Sequence, residues 1–434
     1  MILRTLANTM TLAALLLALA CTAGAQPSLP PPQSTDPVAM QLMQGFPPAP
    51  GKVVQLANLL RYPNSRWGFH HLRELGPTAQ VWRGAAVPAP LPSATRALDD
   101  LAFDGPGSRR LTLLDWQRET YADALLVLHR GRVVYERYHA GMQPQQQHAL
   151  WSMTKSFTGL LTAQLVHEGR IDAQAPIARY LPELRDSAWG DATVRQALDM
   201  TVSARYKEDF SDPASGIWQY IRAGGLQPSP PGYAGAKNLA ELLPTIAREG
   251  THGEAFRYKT ADTEVLGWLV QRVTGQSFAQ LLSDRIWKPL RAQEDGYLWL
   301  DPNGMALTSV GLNATAGDLA RFGEMMRQGG RFNGRQVIAR EVVDDIRRGG
   351  DPEKFKAAGQ TARAGYSYRG QWWIPHDASG TFEAKGLYGQ HIHINPSAEL
   401  VVVKLSSHPL GETIVTHGVD RAAFAALAAA VNPP

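Results

Sequence analysis

Ser152-Met153-Thr154-Lys155 is the stretch of this 434-residue chain whose residue types and spacing could do chemistry most directly. Residues i and i+3 share one face of a helix, so a Lys amine at 155 can reach the Ser152 hydroxyl. Serine is a weak nucleophile until a base takes its proton. A Lys can be that base when burial and nearby cations lower its pKa. The segment reads as the start of a helix, whose positive dipole end favours developing negative charge. Acyl transfer through a serine ester is the chemistry to expect. It also needs a proton donor for the leaving group and two hydrogen-bond donors for the tetrahedral oxyanion. A four-residue motif discriminates little by itself, so its surroundings decide.

Those surroundings alternate between strand and helix patterns. Residues 124–129 read as a strand, Arg130-Gly131 as a turn and Arg132–Tyr138 as the returning strand of a hairpin. Residues 152–167 read as a helix with Phe157, Leu160, Leu161 and Leu165 on one face and Gly169 ending it. Helical pieces between Pro- and Gly-rich loops fill 172–253. Thr260 reads as the N-cap of a helix whose buried face is Val265, Leu266, Leu269, Val270 and Val273. Thr315 and Asp318 form a capping-box pattern before a helix over 319–326. Strands are expected over 366–374, 391–394 and 399–405, and a last helix over 422–431. Trp67, Phe69 and Trp82 are expected packing anchors. Strands at both ends and helices between them predict an α/β fold. Its antiparallel sheet is flanked by helices, with a mostly helical region over about 153–280 and the active site between the two.

The context of Ser152 is WSMTKSFTGLLTAQLVHEG, from Trp151 to Gly169. Farther on, Phe256-Arg257-Tyr258-Lys259-Thr260 leads into a helix reading DTEVLGWLVQRVTG, followed by IWKPL from Ile286 to Leu290. Ala384-Lys385-Gly386-Leu387-Tyr388-Gly389-Gln390 then precedes a strand. In these motifs and their order, over roughly 61–434, the chain resembles the serine β-lactamase-like hydrolases of the class C β-lactamase and penicillin-binding superfamily, above all the 6-aminohexanoate-dimer hydrolase branch. The resemblance implies an acylated nucleophile at Ser152, its partner base at Lys155 and the proton-shuttling Tyr at Tyr258. Thr260 stands where many members carry Asn. Ala384-Lys385-Gly386 matches the K-T-G box, which gives Gly386 its place beside the site and the Leu387 N–H, with that of Ser152, the role of oxyanion donor. The loop Arg205-Tyr206-Lys207-Glu208-Asp209-Phe210 resembles the substrate loop of the branch and implies a substrate contact for Tyr206. A Tyr beside a Lys cation can have a lowered pKa, which suits the shuttle. The first Lys of the box is Ala384 here. Lys385 is one position later, and neighbouring strand residues face opposite sides, so its ammonium is expected to point away from the site. That argues against efficient β-lactam hydrolysis and for a small linear amide or ester.

Other constellations are weaker. His391 and His393 share a strand face, but no carboxylate lies beside them at matching spacing. Packing or hydrogen bonding is expected of them, because zinc sites need three or four ligands. Glu208, Asp209 and Asp212 lack EF-hand spacing and read as a solvated, substrate-facing loop. No G-x-S-x-G elbow surrounds any Ser. No metal or other cofactor is expected. Basic and acidic residues number 43 and 39, with no basic run, which gives nucleic acid no footing as a partner. A small-molecule amide or ester is the expected partner. The alternatives are a β-lactamase, a D-amino-acid peptidase or esterase, and a catalytically silent penicillin-binding-like sensor. Residues 1–25 read as a signal peptide: Arg4, an apolar run over 12–20, then Ala23-Gly24-Ala25 before cleavage at Gln26. Lipoprotein processing at Cys21, the single Cys, is a weaker fit because Leu19 stands before the final small residue. Residues 26–50 read as a Pro-rich linker or loose arm and 51–434 as the hydrolase domain, periplasmic or secreted.

Overall fold

The computed structural model describes residues 29–359, 361–412 and 414–432. The expected signal peptide and Cys21 lie outside them. The centre is a seven-stranded antiparallel sheet made of β1 (Ala122–His129), β2 (Arg132–Tyr138), β3 (Ser367–Arg369), β4 (Trp372–Ile374), β5 (Phe382–Gly386), β6 (Gln390–Asn395) and β7 (Leu400–Ser406). Their order across the sheet is β3-β4-β5-β6-β7-β1-β2. The early hairpin therefore closes on the last strand, with Val402 opposite Val127.

The helices that bear on the site and its packing are α1 (Thr154–His167), α2 (Gly216–Ala223), α3 (Thr260–Thr274), α4 (Ala316–Arg327) and α5 (His417–Val431). Strand residues alternate between faces, and both faces of β1 and β7 are covered. Leu126, Leu128, Val401 and Val403 join one core with Phe157 of α1 and Leu319 and Phe322 of α4. Leu125, Val127, Leu400 and Val402 join another with Trp116 and with Phe424 and Leu427 of α5. Each such buried side chain contributes about 1.5–3 kcal/mol. The chain passes through α1 to α4 between β2 and β3; α1 and α4 pack on a face of the sheet, and α3 packs on α1. Among the described residues no helix is long and apolar enough to cross a membrane.

Several sequence expectations are corrected. Helix α1 is buried on more than one face: Thr158 and Thr162 are as inaccessible as Phe157 and Leu160. It lies between the sheet and α3, and Gly159 lets the Gly370-Gln371 turn approach so closely that a Cβ would strike the Gly370 carbonyl. That turn splits the expected strand over 366–374 into β3 and β4. Thr260 is the first helical residue of α3, with no side-chain cap from Lys259. Its N–H donates instead to the Glu208 carboxylate. Trp82 is 48% exposed, under the Lys288 ammonium. The Pro-rich arm is packed where it is described. Leu42 is buried with Val54 and Trp67, and the Tyr121 hydroxyl donates to the Pro30 carbonyl.

Candidate active site

Ser152 lies in a 3-10 turn, Trp151–Met153, that runs straight into α1. Trp151 holds a left-handed backbone, φ +48°, which is costly for a bulky residue and persists only where the surroundings fix it. Phe69 and Tyr388 fix it here, with ring centroids 5.1 and 5.6 Å from the indole. The turn leaves Ser152 8% exposed at a cavity mouth and Lys155 one helical step behind it, 1% exposed. Lys155 Nζ is 3.0 Å from Ser152 Oγ and donates a longer bond, 3.4 Å, to the Ser309 carbonyl. Burial pulls the Lys155 amine down to about 8, against the Glu208 and Glu264 carboxylates, which pull it up.

A free amine is the form that can accept a proton, and lowering the pKa makes it available at lower pH. The rate of serine acylation is therefore expected to rise about tenfold per pH unit below a midpoint near 8 and to level off above it. Stopped-flow acylation rates between pH 5.5 and 10 measure this. Rates that do not change with pH over this range would remove Lys155 as the base.

Tyr258, just before α3, completes the group. Its hydroxyl is near enough to Ser152 for that side chain to pull its pKa down, and the Lys155 ammonium is 5.1 Å from its ring centroid. The ring stacks on Trp373 at 5.7 Å and meets Tyr368 edge-on at 6.2 Å. Its pKa runs opposite to the sequence expectation. Burial and the Glu208 charge push the phenol up, and this outweighs Ser152 and Arg363, which pull it down. Tyr258 is thus a protonated phenol, suited to donating a proton.

Tyr206 is not where its motif implies. It is 6% exposed, packs on Gly216 and is absent from the cavity wall, and its hydroxyl has no hydrogen-bond partner among the described residues. The backbone dictates this. Arg205 donates its N–H to Ala247 and Ile217 donates to Lys207, so the extended segment turns Tyr206 inward. Glu208 and Phe210 line the cavity instead. Asp209 and Asp212 bond the N–H groups of their own loop.

The far wall is the edge of β5. β4 pairs with β5 only at Trp373–Glu383, so residues 384–386 lack a β4 partner. A Cβ at Gly386 would strike the Leu150 carbonyl, which is how the edge lies against the Ser152 turn. Leu387 follows at the cavity wall. Ala384 is fully buried with Ile392 on the helical face. Lys385 takes the other face, as alternation requires, and its ammonium is 2.7 Å from Glu383 Oε2 and 5.4 Å from the Tyr366 ring. It still forms part of the cavity wall. Glu383 is also the carboxylate that spacing along the chain did not reveal beside the histidines. It is the cross-strand partner of His393, with Oε1 2.9 Å from His393 Nδ1 and 3.2 Å from His391 Nε2. These three could in principle hold a cation, but the Lys385 ammonium already sits on the carboxylate.

The cavity measures about 530 Å³, a small-molecule volume. Its wall is mostly apolar, with Ile217, Tyr220, Phe256, Val310 and Trp373 beside Ser152 and Tyr258. Of the charged side chains on this wall, the sequence places Glu208 on a substrate-facing loop but gives no role to Arg363 or Glu412. Glu208 sits in the quoted loop, two residues from the Tyr that drew notice. Arg363 had no sequence signal. It is 8% exposed, lines the cavity and lies 4.6 Å above the Trp373 ring.

Residues 108–427 match the β-lactamase family. The chain is 37% identical over 359 residues to the 6-aminohexanoate-dimer hydrolase of Paenarthrobacter ureafaciens, covering 82% of this chain and 89% of that one. A solved structure, a candidate 6-aminohexanoate-dimer hydrolase from Bacillus anthracis, superposes with a TM-score of 0.81 at 32% identity, covering 88% of this chain and 98% of that one. EstCE1, a hydrolase with promiscuous acyltransferase activity, shares the fold at a TM-score of 0.55 and 17% identity, over 70% of this chain and 92% of its own.

Proposed function

The chain belongs to the β-lactamase family, and from that premise we propose that it is a serine hydrolase cleaving a small linear amide or ester through an acyl-enzyme on Ser152. The observation that carries this reading is the 3.0 Å contact between Lys155 Nζ and Ser152 Oγ, with Tyr258 on the wall of the same largely apolar cavity. Lys155 takes the Ser152 proton as Oγ attacks the substrate carbonyl carbon. The N–H groups of Ser152 and Leu387 receive the oxyanion. Tyr258 protonates the leaving nitrogen or oxygen as its bond to carbon breaks, and the Lys155 ammonium returns a proton to Tyr258. Water then attacks the Ser152 ester by the reverse route, releasing the acid and restoring the hydroxyl.

A linear substrate is favoured over a β-lactam. The relative from P. ureafaciens is named for a 6-aminohexanoate dimer, a linear amide that ends in a carboxylate. An apolar wall suits its methylene chain. Arg363, close enough to pull the Tyr258 pKa down, puts positive charge on the leaving-group side. A charge-assisted bond there would contribute about 1.5–3 kcal/mol.

The test has two parts on one preparation. A fluorophosphonate probe is expected to label Ser152, and absence of any label would favour a silent binding module. The kcat/KM values for p-nitrophenyl butyrate and a linear N-acyl ω-amino acid are expected to exceed that for nitrocefin. A higher value for nitrocefin would overturn the substrate assignment and leave Ser152, Lys155 and Tyr258 in place.

A further inference from the structure

We propose that Glu264, on α3, is a positioning residue for Lys155: it clamps the Thr308-Ser309 turn that holds the amine and supplies the buried negative charge that sets when the amine is free. The proposal rests on the reading of Lys155 as the base. Glu264 is the second of two acidic residues in the DTEVLG stretch and makes no hydrogen bond to Ser152. It is 3% exposed, and a carboxylate is almost never buried unless it is paired.

Its partners are hydrogen-bond donors, and they converge from two elements. Oε2 accepts the Thr308 N–H at 2.9 Å and the Thr308 hydroxyl at 2.8 Å. Oε1 accepts the Ser309 N–H at 3.1 Å, the Ser309 hydroxyl at 2.5 Å and the Tyr220 hydroxyl at 2.8 Å. Five donors on two oxygens more than fill the roughly four lone-pair sites of an ionised carboxylate, and they oppose the burial that pushes the Glu264 pKa up. The turn held this way offers the Ser309 carbonyl to Lys155 Nζ. Tyr220, whose hydroxyl lies 3.0 Å from that of Ser309, is a wall of the substrate cavity. One carboxylate thus ties the base, the turn behind it and the substrate wall into a single unit.

The charged and titratable groups facing Lys155 are Glu264 from α3, Glu208 from the loop after Tyr206, and Tyr258 before α3, with Ser152 on its own element. Both carboxylates favour the ammonium. Removing the Glu264 charge must therefore lower the Lys155 pKa and free the amine at lower pH. Loss of the clamp separately misplaces it.

The experiment is the pH profile of kcat for wild type, Glu264→Gln and Thr308→Val, each checked by circular dichroism. Glu264→Gln is expected to lose about 10- to 150-fold in plateau kcat, as for hydrogen bonds to a charged group. Its ascending limb is expected to move down by at least about 0.5 pH unit, as for loss of a nearby opposite charge. Thr308→Val is nearly isosteric and keeps the carboxylate but removes one donor from it, so its limb is expected to move up. A purely structural role would lower kcat and leave both limbs in place, and unmoved limbs overturn the proposal. If Glu264→Gln does not fold, the Thr308→Val limb decides alone. Activity surviving in Ser152→Ala would instead defeat the serine-hydrolase reading itself, a result these two variants cannot mimic.

Discussion

Ser152→Ala and Lys155→Ala are each expected to lower kcat by at least about 10⁴-fold, and the double variant little further, because nucleophile and base act as one unit. Removing the Ser152 Oγ removes the atom that would form the ester. Removing the Lys155 amine leaves the hydroxyl with Tyr258, a phenol whose own pKa is pushed up, so that it stays protonated and is not available to accept the serine proton. The two substitutions differ in their effect on stability. Ser152 loses one atom at a cavity mouth, and its variant should melt like the wild type. Lys155 is buried along its whole stem, so Ala leaves a void, and Lys155→Met is the better-filled comparison. Steady-state turnover of p-nitrophenyl butyrate, with melting curves alongside, reads both effects. Substantial activity in Lys155→Met would mean that another group takes the serine proton.

Much of this arrangement was legible in the sequence because it is local. The i, i+3 spacing of Ser152 and Lys155 fixes their contact once α1 forms. The apolar run of residues 124–129 announces a strand, and β1 is one, buried along its whole length. Elements that depend on distant partners were not legible. Glu383 meets His391 and His393 only because β5 and β6 are in register. Glu208 caps α3 from 52 positions earlier in the chain. Tyr206 was placed by analogy of a loop, and its burial follows from backbone pairing with residue 247 that no local pattern encodes. The Tyr258 pKa was misjudged for a related reason: a neighbouring cation can be read from a motif, but the desolvation that outweighs it comes from the packing of Trp373 and Tyr368.

That phenol pKa decides what Tyr258→Phe should do. The ring keeps its stacking on Trp373, so the variant should fold and lose only the hydroxyl. A protonated phenol serves as an acid, and the need for an acid depends on the leaving group. An amide nitrogen cannot depart as an anion and must be protonated, whereas p-nitrophenolate departs without help. Tyr258→Phe is therefore expected to slow acylation by a linear amide about 10²- to 10⁴-fold, the range for a positioned acid, and to slow acylation by p-nitrophenyl butyrate far less. Single-turnover rates for both substrates separate the possibilities. Equal losses on both would move Tyr258 from the leaving group to the Ser152–Lys155 proton transfer. Wild-type rates on the amide would remove its hydroxyl from the mechanism, leaving Lys155 to both take the serine proton and deliver it to the departing nitrogen.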